Sequence, residues 1–203
     1  MAVRTSGSVT RAQRQAQTRA ALVETARRLF LDEGYGVTTL DRVALEAGYS
    51  KGAVYSNFKS KEELGLAVLD QIHAEMVTEV MESLAGAETY EGLLAGFGGW
   101  LHRRLGQPRW TALEVEFAAV VRQSPYVATE LATRHRQIRG TIAEVLRSLV
   151  ADAGVRLALS PEQTATALLS LGIGMGAQRS LDADVDVEAF TGTMRTLLLP
   201  PAG

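Results

Sequence analysis

Helical periodicity runs through this chain almost from end to end, and it narrows the possible folds more than any other feature. From Arg11 to Glu33 the apolar positions Ala16, Ala20, Val23, Ala26, Leu29 and Phe30 recur at helical spacing, and Gly34 stands where a C-terminal stop belongs. Thr38-Thr39 then precede Leu40, Val43, Ala44 and Ala47, a short one-faced stripe ended by Gly48. Ser50 can cap a second short helix, Lys51 to about Phe58, which buries Val54 and Phe58. Ser60 and Glu63 form an S-x-x-E capping box for a long helix, whose stripe Leu64, Ala67, Val68, Ile72, Met76, Val80 fades near Ala85-Gly86. Five more helical segments follow: Tyr90 to Leu105, Trp110 to Gln123, Pro125 to about Ala153, Pro161 to about Leu181, and Val185 or Val187 to Leu199. Gly106-Gln107-Pro108, Gly154, Asp182-Ala183-Asp184 and Pro200-Pro201 punctuate them, and Ser124-Pro125 and Ser160-Pro161 are cap-plus-proline starts. No period-two alternation is long enough for a strand, so the expected class is all-α.

Composition removes several chemistries. At 46% hydrophobic and 22% charged residues, the chain has the balance of a globular protein with a real core. It has no cysteine, which excludes disulfides, thiolate metal sites and a cysteine nucleophile. Its three histidines, His73, His102 and His135, argue against a multi-histidine metal site. No apolar run approaches the roughly 20 residues of a membrane span, and the N-terminus MAVRTSGSVTR lacks an apolar signal core, so a cytoplasmic protein without a membrane partner is expected. G-x-S-x-G, H-E-x-x-H and Walker patterns are absent. The glycines of "GIGMG" at Gly172, Gly174 and Gly176 follow no strand and sit inside a helical pattern, which fits close helix approach and not a phosphate loop. Neither an enzyme nor a cofactor is expected.

Charge is unevenly divided. Residues 1–61 carry ten Lys and Arg against five Asp and Glu, a balance of +5, whereas the remaining 142 residues carry 11 against 18, a balance of −7. A small basic head on an acidic body points to a polyanion met by the head alone. The two short helices joined by Gly48-Tyr49-Ser50 have the outline of a helix-turn-helix, whose second helix can lie in the major groove of DNA. Ser50, Lys51, Gly52 and Ala53 are small or basic where that helix would come nearest the duplex.

The stretch ALVETARRLFLDEGYGVTTLDRVALEAGYSKGAVYSNFKSKEEL, about a quarter of the chain, resembles the DNA-binding domain of TetR-family transcriptional regulators. The matching elements are Ala26, Leu29, Phe30, Gly34-Tyr35, Thr38-Thr39, Val43-Ala44, Ala47-Gly48, Ser50-Lys51-Gly52, Tyr55, Phe58 and Lys61-Glu62-Glu63-Leu64. One departure is Asn57, where the family more often has histidine. The resemblance implies an all-α homodimer. Residues 1–10 would be a disordered arm, 11–61 a three-helix DNA-binding domain, and 62–203 a ligand-binding and dimerisation domain. It implies that Thr38, Thr39 and Lys61 contact phosphate, that Lys51, Gly52 and Ala53 face bases, and that Tyr55 touches phosphate or a thymine methyl. Ser56 and Asn57 would meet backbone or base, Arg42 either, and Arg4, Arg11 and Arg14 would enter the minor groove from the arm. Core packing for Tyr55, solvation for Lys61 and Arg42, and non-specific attraction for the arm arginines are the competing readings.

Downstream, Met76, Phe97, Trp100, Trp110 and Phe117, with Glu114 among the nearby polar groups, form either plain core or the lining of a small-molecule pocket flanked by the two tryptophans. Gly96, Gly98 and Gly99 either bend their helix or make room for a ligand. Leu169, Gly172, Ile173 and Gly176, with Phe190, Met194 and Leu197 of the last helix, are the expected dimer face. The function expected from the resemblance is a repressor that binds a palindromic operator in double-stranded DNA and is released by a small apolar effector. The alternatives are a TetR-like activator and a non-specific architectural protein.

Overall fold

The computed structural model describes residues 10–105, 109–121 and 124–201. Among them nine α-helices follow in order: α1 (Arg11–Asp32), α2 (Leu40–Glu46), α3 (Lys51–Asn57), α4 (Lys61–Leu84), α5 (Tyr90–Leu105), α6 (Arg109–Val121), α7 (Pro125–Ala153), α8 (Pro161–Arg179) and α9 (Glu188–Leu197). The only sheet among the described residues pairs β1 (Arg156–Leu157) with β2 (Leu198–Leu199), antiparallel, Arg156 opposite Leu199. Sequence reading expects no strand and carries α9 on to Leu199. Two residues are too few for an alternation to register, and the pairing itself pulls Leu198 and Leu199 out of the helix.

Helix boundaries have local causes. Thr10 and Gln13 form a reciprocal capping box at α1, and Ser160 and Gln163 form one at α8. The expected Ser60–Glu63 box is modified: the Glu63 N–H donates to Ser60 Oγ at 3.2 Å, but the Glu63 carboxylate accepts from the Lys59 N–H at 2.8 Å. Ser124 caps α7, with Pro125 opening the helix. Gly48 and Gly154 stop α2 and α7 at φ 73° and 64°, a left-handed conformation that costs glycine little and other residues more. The α8 helix ends at Arg179, short of Leu181, where the Leu181 N–H bonds to the Gln178 carbonyl at 3.0 Å, three residues back and not four.

The chain divides into two compact units, one ending at Val68 and one beginning at Leu69, so the division falls within α4. In the first, α1, α2 and α3 enclose a core of Leu22, Ala26, Leu29, Val43, Val54 and Phe58, all at most barely exposed. In the second, α7 and α8 make the most extensive helix pairing, and α5, α6 and α9 pack around α8. Of the glycines in α5, Gly96 has a definite packing role. A Cβ there would lie 2.2 Å from the Ser83 carbonyl oxygen of α4, so the two helices approach as closely as a missing side chain allows. A Cβ at Gly98 or Gly99 meets only side-chain atoms, at 3.5 Å.

Gly96→Ala therefore drives a methyl into backbone and is expected to destabilise the protein by about 1–3 kcal/mol, the usual cost of overpacking. Gly140→Ala, in mid-α7 where a Cβ meets nothing within 4 Å, is expected to stabilise by up to about 1 kcal/mol. Thermal unfolding of the two variants, moving in opposite directions from wild type, is the check.

Candidate functional site

The first unit presents a short helix by one face. Val54 and Phe58 are fully buried, and Arg19 of α1 secures the far end of α3. Its guanidinium lies 4.1 Å from the Phe58 ring centroid, and its Nη1 donates to the Asn57 carbonyl at 2.8 Å. At the near end, Ser50 Oγ accepts the Ala53 N–H at 3.2 Å. The other face is open. The Lys51 side chain is 71% exposed, Tyr55 is 54% exposed, and Ser50, Gly52 and Ser56 are exposed beside them. Lys51 pairs with Asp41 of α2, and the hydrogen bond and charge of that carboxylate push the ammonium pKa up. Ser56 Oγ and Asn57 Nδ2 both donate to the Ala53 carbonyl, at 2.9 and 2.8 Å. Thr39 Oγ1 caps α2 by accepting the Arg42 N–H at 3.2 Å, and the Arg42 guanidinium pairs with Glu46 at 3.1 Å and Glu33 at 3.5 Å.

Two expected phosphate-binding groups are engaged within the fold. Thr38 is 1% exposed, and its hydroxyl donates to the Gly34 carbonyl at 2.9 Å, closing the turn after α1. Lys61 Nζ donates to the Gly36 carbonyl at 3.0 Å and sits 4.2 Å from the Tyr35 ring centroid. Arg11 and Arg14 stand on the first turn of α1 and not on an arm, and Arg4 lies outside the described residues.

The second unit contains a cavity of about 200 Å³ whose wall is almost entirely hydrocarbon. Met76, Phe97, Trp100 and Glu114 line it. Phe117 is fully buried away from it, and the Trp110 side chain lies outside the described residues. Leu169, Gly172, Ile173, Phe190 and Met194 line the same cavity. All five belong to the expected dimer face, and Leu169, Gly172 and Ile173 keep partial exposure. Phe190 and Met194 are 2% and 3% exposed, and Phe97 meets Phe190 at 5.7 Å between centroids. A Cβ on Gly172 would sit 3.6 Å from the Phe190 ring. These side chains face inward because α9 packs on α5 and α8 of its own chain. Gly176 is buried as well, and Leu197 is half-buried.

The bacterial TetR-family regulatory model matches residues 22–68, and the model described as BetI-type transcriptional repressor, C-terminal, matches residues 89–199, more than half the chain. The chain belongs to the TetR family of transcriptional regulators. It is 26% identical over 145 residues to the HTH-type transcriptional regulator UidR of Escherichia coli K12, covering 71% of this chain and 70% of UidR. Reduced E. coli NemR shares the fold at a TM-score of 0.72 and 22% identity, covering 91% of this chain and 100% of NemR. A SmeT–triclosan complex does so at a TM-score of 0.66 and 19% identity, covering 92% and 96%. The protein is accordingly a regulator and not an enzyme.

In this TetR-family chain Glu114, on the cavity wall, is met by two histidines. His135 Nε2 lies 3.1 Å from Glu114 Oε1, and His73 Nε2 lies 3.8 Å from the same oxygen. The residues come from α7, α6 and α4, with no sequence spacing to announce them. His102, by contrast, turns away to the Gly98 carbonyl and Glu188. Burial pushes the Glu114 carboxyl upward, but hydrogen bonds from His135 and His73 and their charges outweigh that and hold it down to about 2. A depressed carboxyl pKa stabilises the fold above its ordinary value of 4.5, and that contribution is lost as pH falls toward about 2. Denaturant unfolding across that acid range should show a stability loss that Glu114→Gln, which has no proton to gain, lacks in part.

Proposed function

We propose that this chain is a ligand-responsive repressor that binds a palindromic operator as a homodimer and leaves it when a small, largely apolar molecule occupies the C-terminal cavity. The observation that carries the DNA-binding half is the open face of α3, with Lys51 and Tyr55 exposed above a fully buried Val54 and Phe58. A major groove admits one such helix, and base edges would be read by Lys51, Gly52 and Ala53. Tyr55, Ser56, Asn57, Ser50, Thr39 and Arg42 would supply backbone contacts or, for Tyr55, a thymine methyl. Phosphate competes with Asp41 for the Lys51 ammonium, so binding is expected to weaken steeply with salt. Thr38 is left out of this set because its hydroxyl already serves the turn. Lys61 contributes by holding the α1–α2 connection, with a phosphate contact in addition.

The repressor assignment is supported by the BetI-type repressor model over the C-terminal body, and the effector assignment by the apolar cavity within it. Triclosan, bound by SmeT, is a small and largely apolar molecule of the kind such a cavity suits. An effector acts only through its different affinity for the DNA-bound and released states. With Phe190 and Met194 turned inward, we place the dimer contact on the outward side of α8. Thr166 and Ser170 are exposed there, and a Cβ on Gly174 would meet nothing within 4 Å of its own chain. A chromosomal operator places the protein in the cytoplasm.

Retention of genomic fragments by the purified protein identifies the operator, and footprinting should show a two-fold symmetric site. Lys51→Ala is expected to lose about 1–3 kcal/mol of discrimination between operator and mismatched sites while remaining folded. Wild-type selectivity in that variant removes Lys51 from the readers, and a monomer by light scattering on DNA removes the dimer.

A further inference from the structure

The wall of the C-terminal cavity has one member that its surroundings do not explain. Glu114 lines a space bounded otherwise almost wholly by hydrocarbon, and it is 7% exposed. A carboxylate in such a wall costs several kcal/mol unless donors compensate it, and here compensation is one-sided. Oε1 faces both His135 and His73. Among the described residues no group donates to Oε2. The other polar lining groups have partners. Arg104 is paired with Glu79 through Nε at 2.6 Å and through Nη2, and Glu79 also accepts Trp100 Nε1–H at 3.1 Å. The Thr141 hydroxyl donates to the Gln137 carbonyl at 3.2 Å. With the lining His73 turned to Oε1, what the cavity offers an occupant is a long apolar wall and an acceptor at Glu114 Oε2.

We propose that the effector is a hydrophobic cation: an apolar body bearing one protonated amine that donates to Glu114 Oε2. This rests on reading the cavity as the effector site. A carboxylate-bearing ligand would meet Glu114 Oε2 as a like charge, with the two basic lining groups engaged, Arg104 by Glu79 and His73 toward Glu114 Oε1 at 3.8 Å. A neutral hydroxyl can donate to the same oxygen, but only a protonated amine adds the attraction of opposite charges to the hydrogen bond, and that attraction is strong where water is excluded. Size sets the other limit. The cavity of about 200 Å³ somewhat exceeds those of about 150 Å³ that take up benzene, so a single ring or a medium alkyl chain fits.

Octylamine, octanol and octanoate share one chain and differ only in the head group. Titration calorimetry on the purified full-length protein, with tryptophan fluorescence reporting on Trp100, should find octylamine bound at least about tenfold more tightly than octanol, the factor set by about 1.4 kcal/mol. Octanoate should be the weakest. In Glu114→Gln the preference for the amine should collapse while octanol affinity is kept, and the exposed Glu116→Gln on the same helix should behave as wild type. Octanol equal to octylamine in the wild-type protein, octanoate preferred, or an amine preference that survives Glu114→Gln overturns the cation and leaves the cavity as a site. No binding of any of the three overturns both readings. If Glu114→Gln does not fold, the wild-type ranking alone decides.

Discussion

The behaviour of the N-terminal unit depends on how a seven-residue helix is held. A helix that short does not persist in water, because nucleation is unfavourable and few hydrogen bonds repay it. Here α3 is anchored by Val54 and Phe58, both without exposed surface, by the Ser50 cap at one end and by Arg19 at the other. Arg19 does two things with one side chain, covering the Phe58 ring and satisfying the Asn57 carbonyl that the helix end leaves open. With one face and both ends held from within, the opposite face can carry groups chosen for an external partner. That division of labour gives the helix its chemical value: small residues and a lysine outside, packing inside.

The C-terminal unit meets the opposite problem, keeping a hollow in a protein of this size. Gly96 lets α5 press against α4, and Gly172 gives the Phe190 ring room against α8. The cavity is what remains where larger side chains span the gap. Its charges are arranged in closed sets, Arg104 with Glu79 and Trp100, and Glu114 with two histidines, which lets ionised groups sit beside hydrocarbon. In the second set both histidines face one carboxylate oxygen, Glu114 Oε1.

Much of the architecture was legible from the chain alone because its cues are local. Caps, capping boxes and glycine stops act over three or four residues, so Thr39, Ser50, Ser160 and Gly154 announce themselves by type and position. The same locality explains the misreadings. Thr38 and Thr39 are neighbours of one chemistry, yet one hydroxyl closes a turn inside the protein and the other caps a helix at the surface. Phe190 and Met194 form an apolar stripe that suits a partner chain as well as the chain's own cavity, and only the packing of α9 on α5 and α8 chooses. The pairing of β1 with β2 joins segments far apart in the chain, over lengths too short to carry a pattern.

By itself the sequence determined an all-helical chain, the positions where its helices start and stop, and a basic head with two short helices around a Gly-Tyr-Ser turn. Each of these follows from hydrogen bonds and side-chain periodicity within a few residues. Only the tertiary structure decided which face of each helix is covered, that His73, Glu114 and His135 meet at one point, and that the aromatic residues of α5 and α9 enclose a space. Those outcomes depend on distances between residues brought together by packing, and no spacing along the chain encodes them.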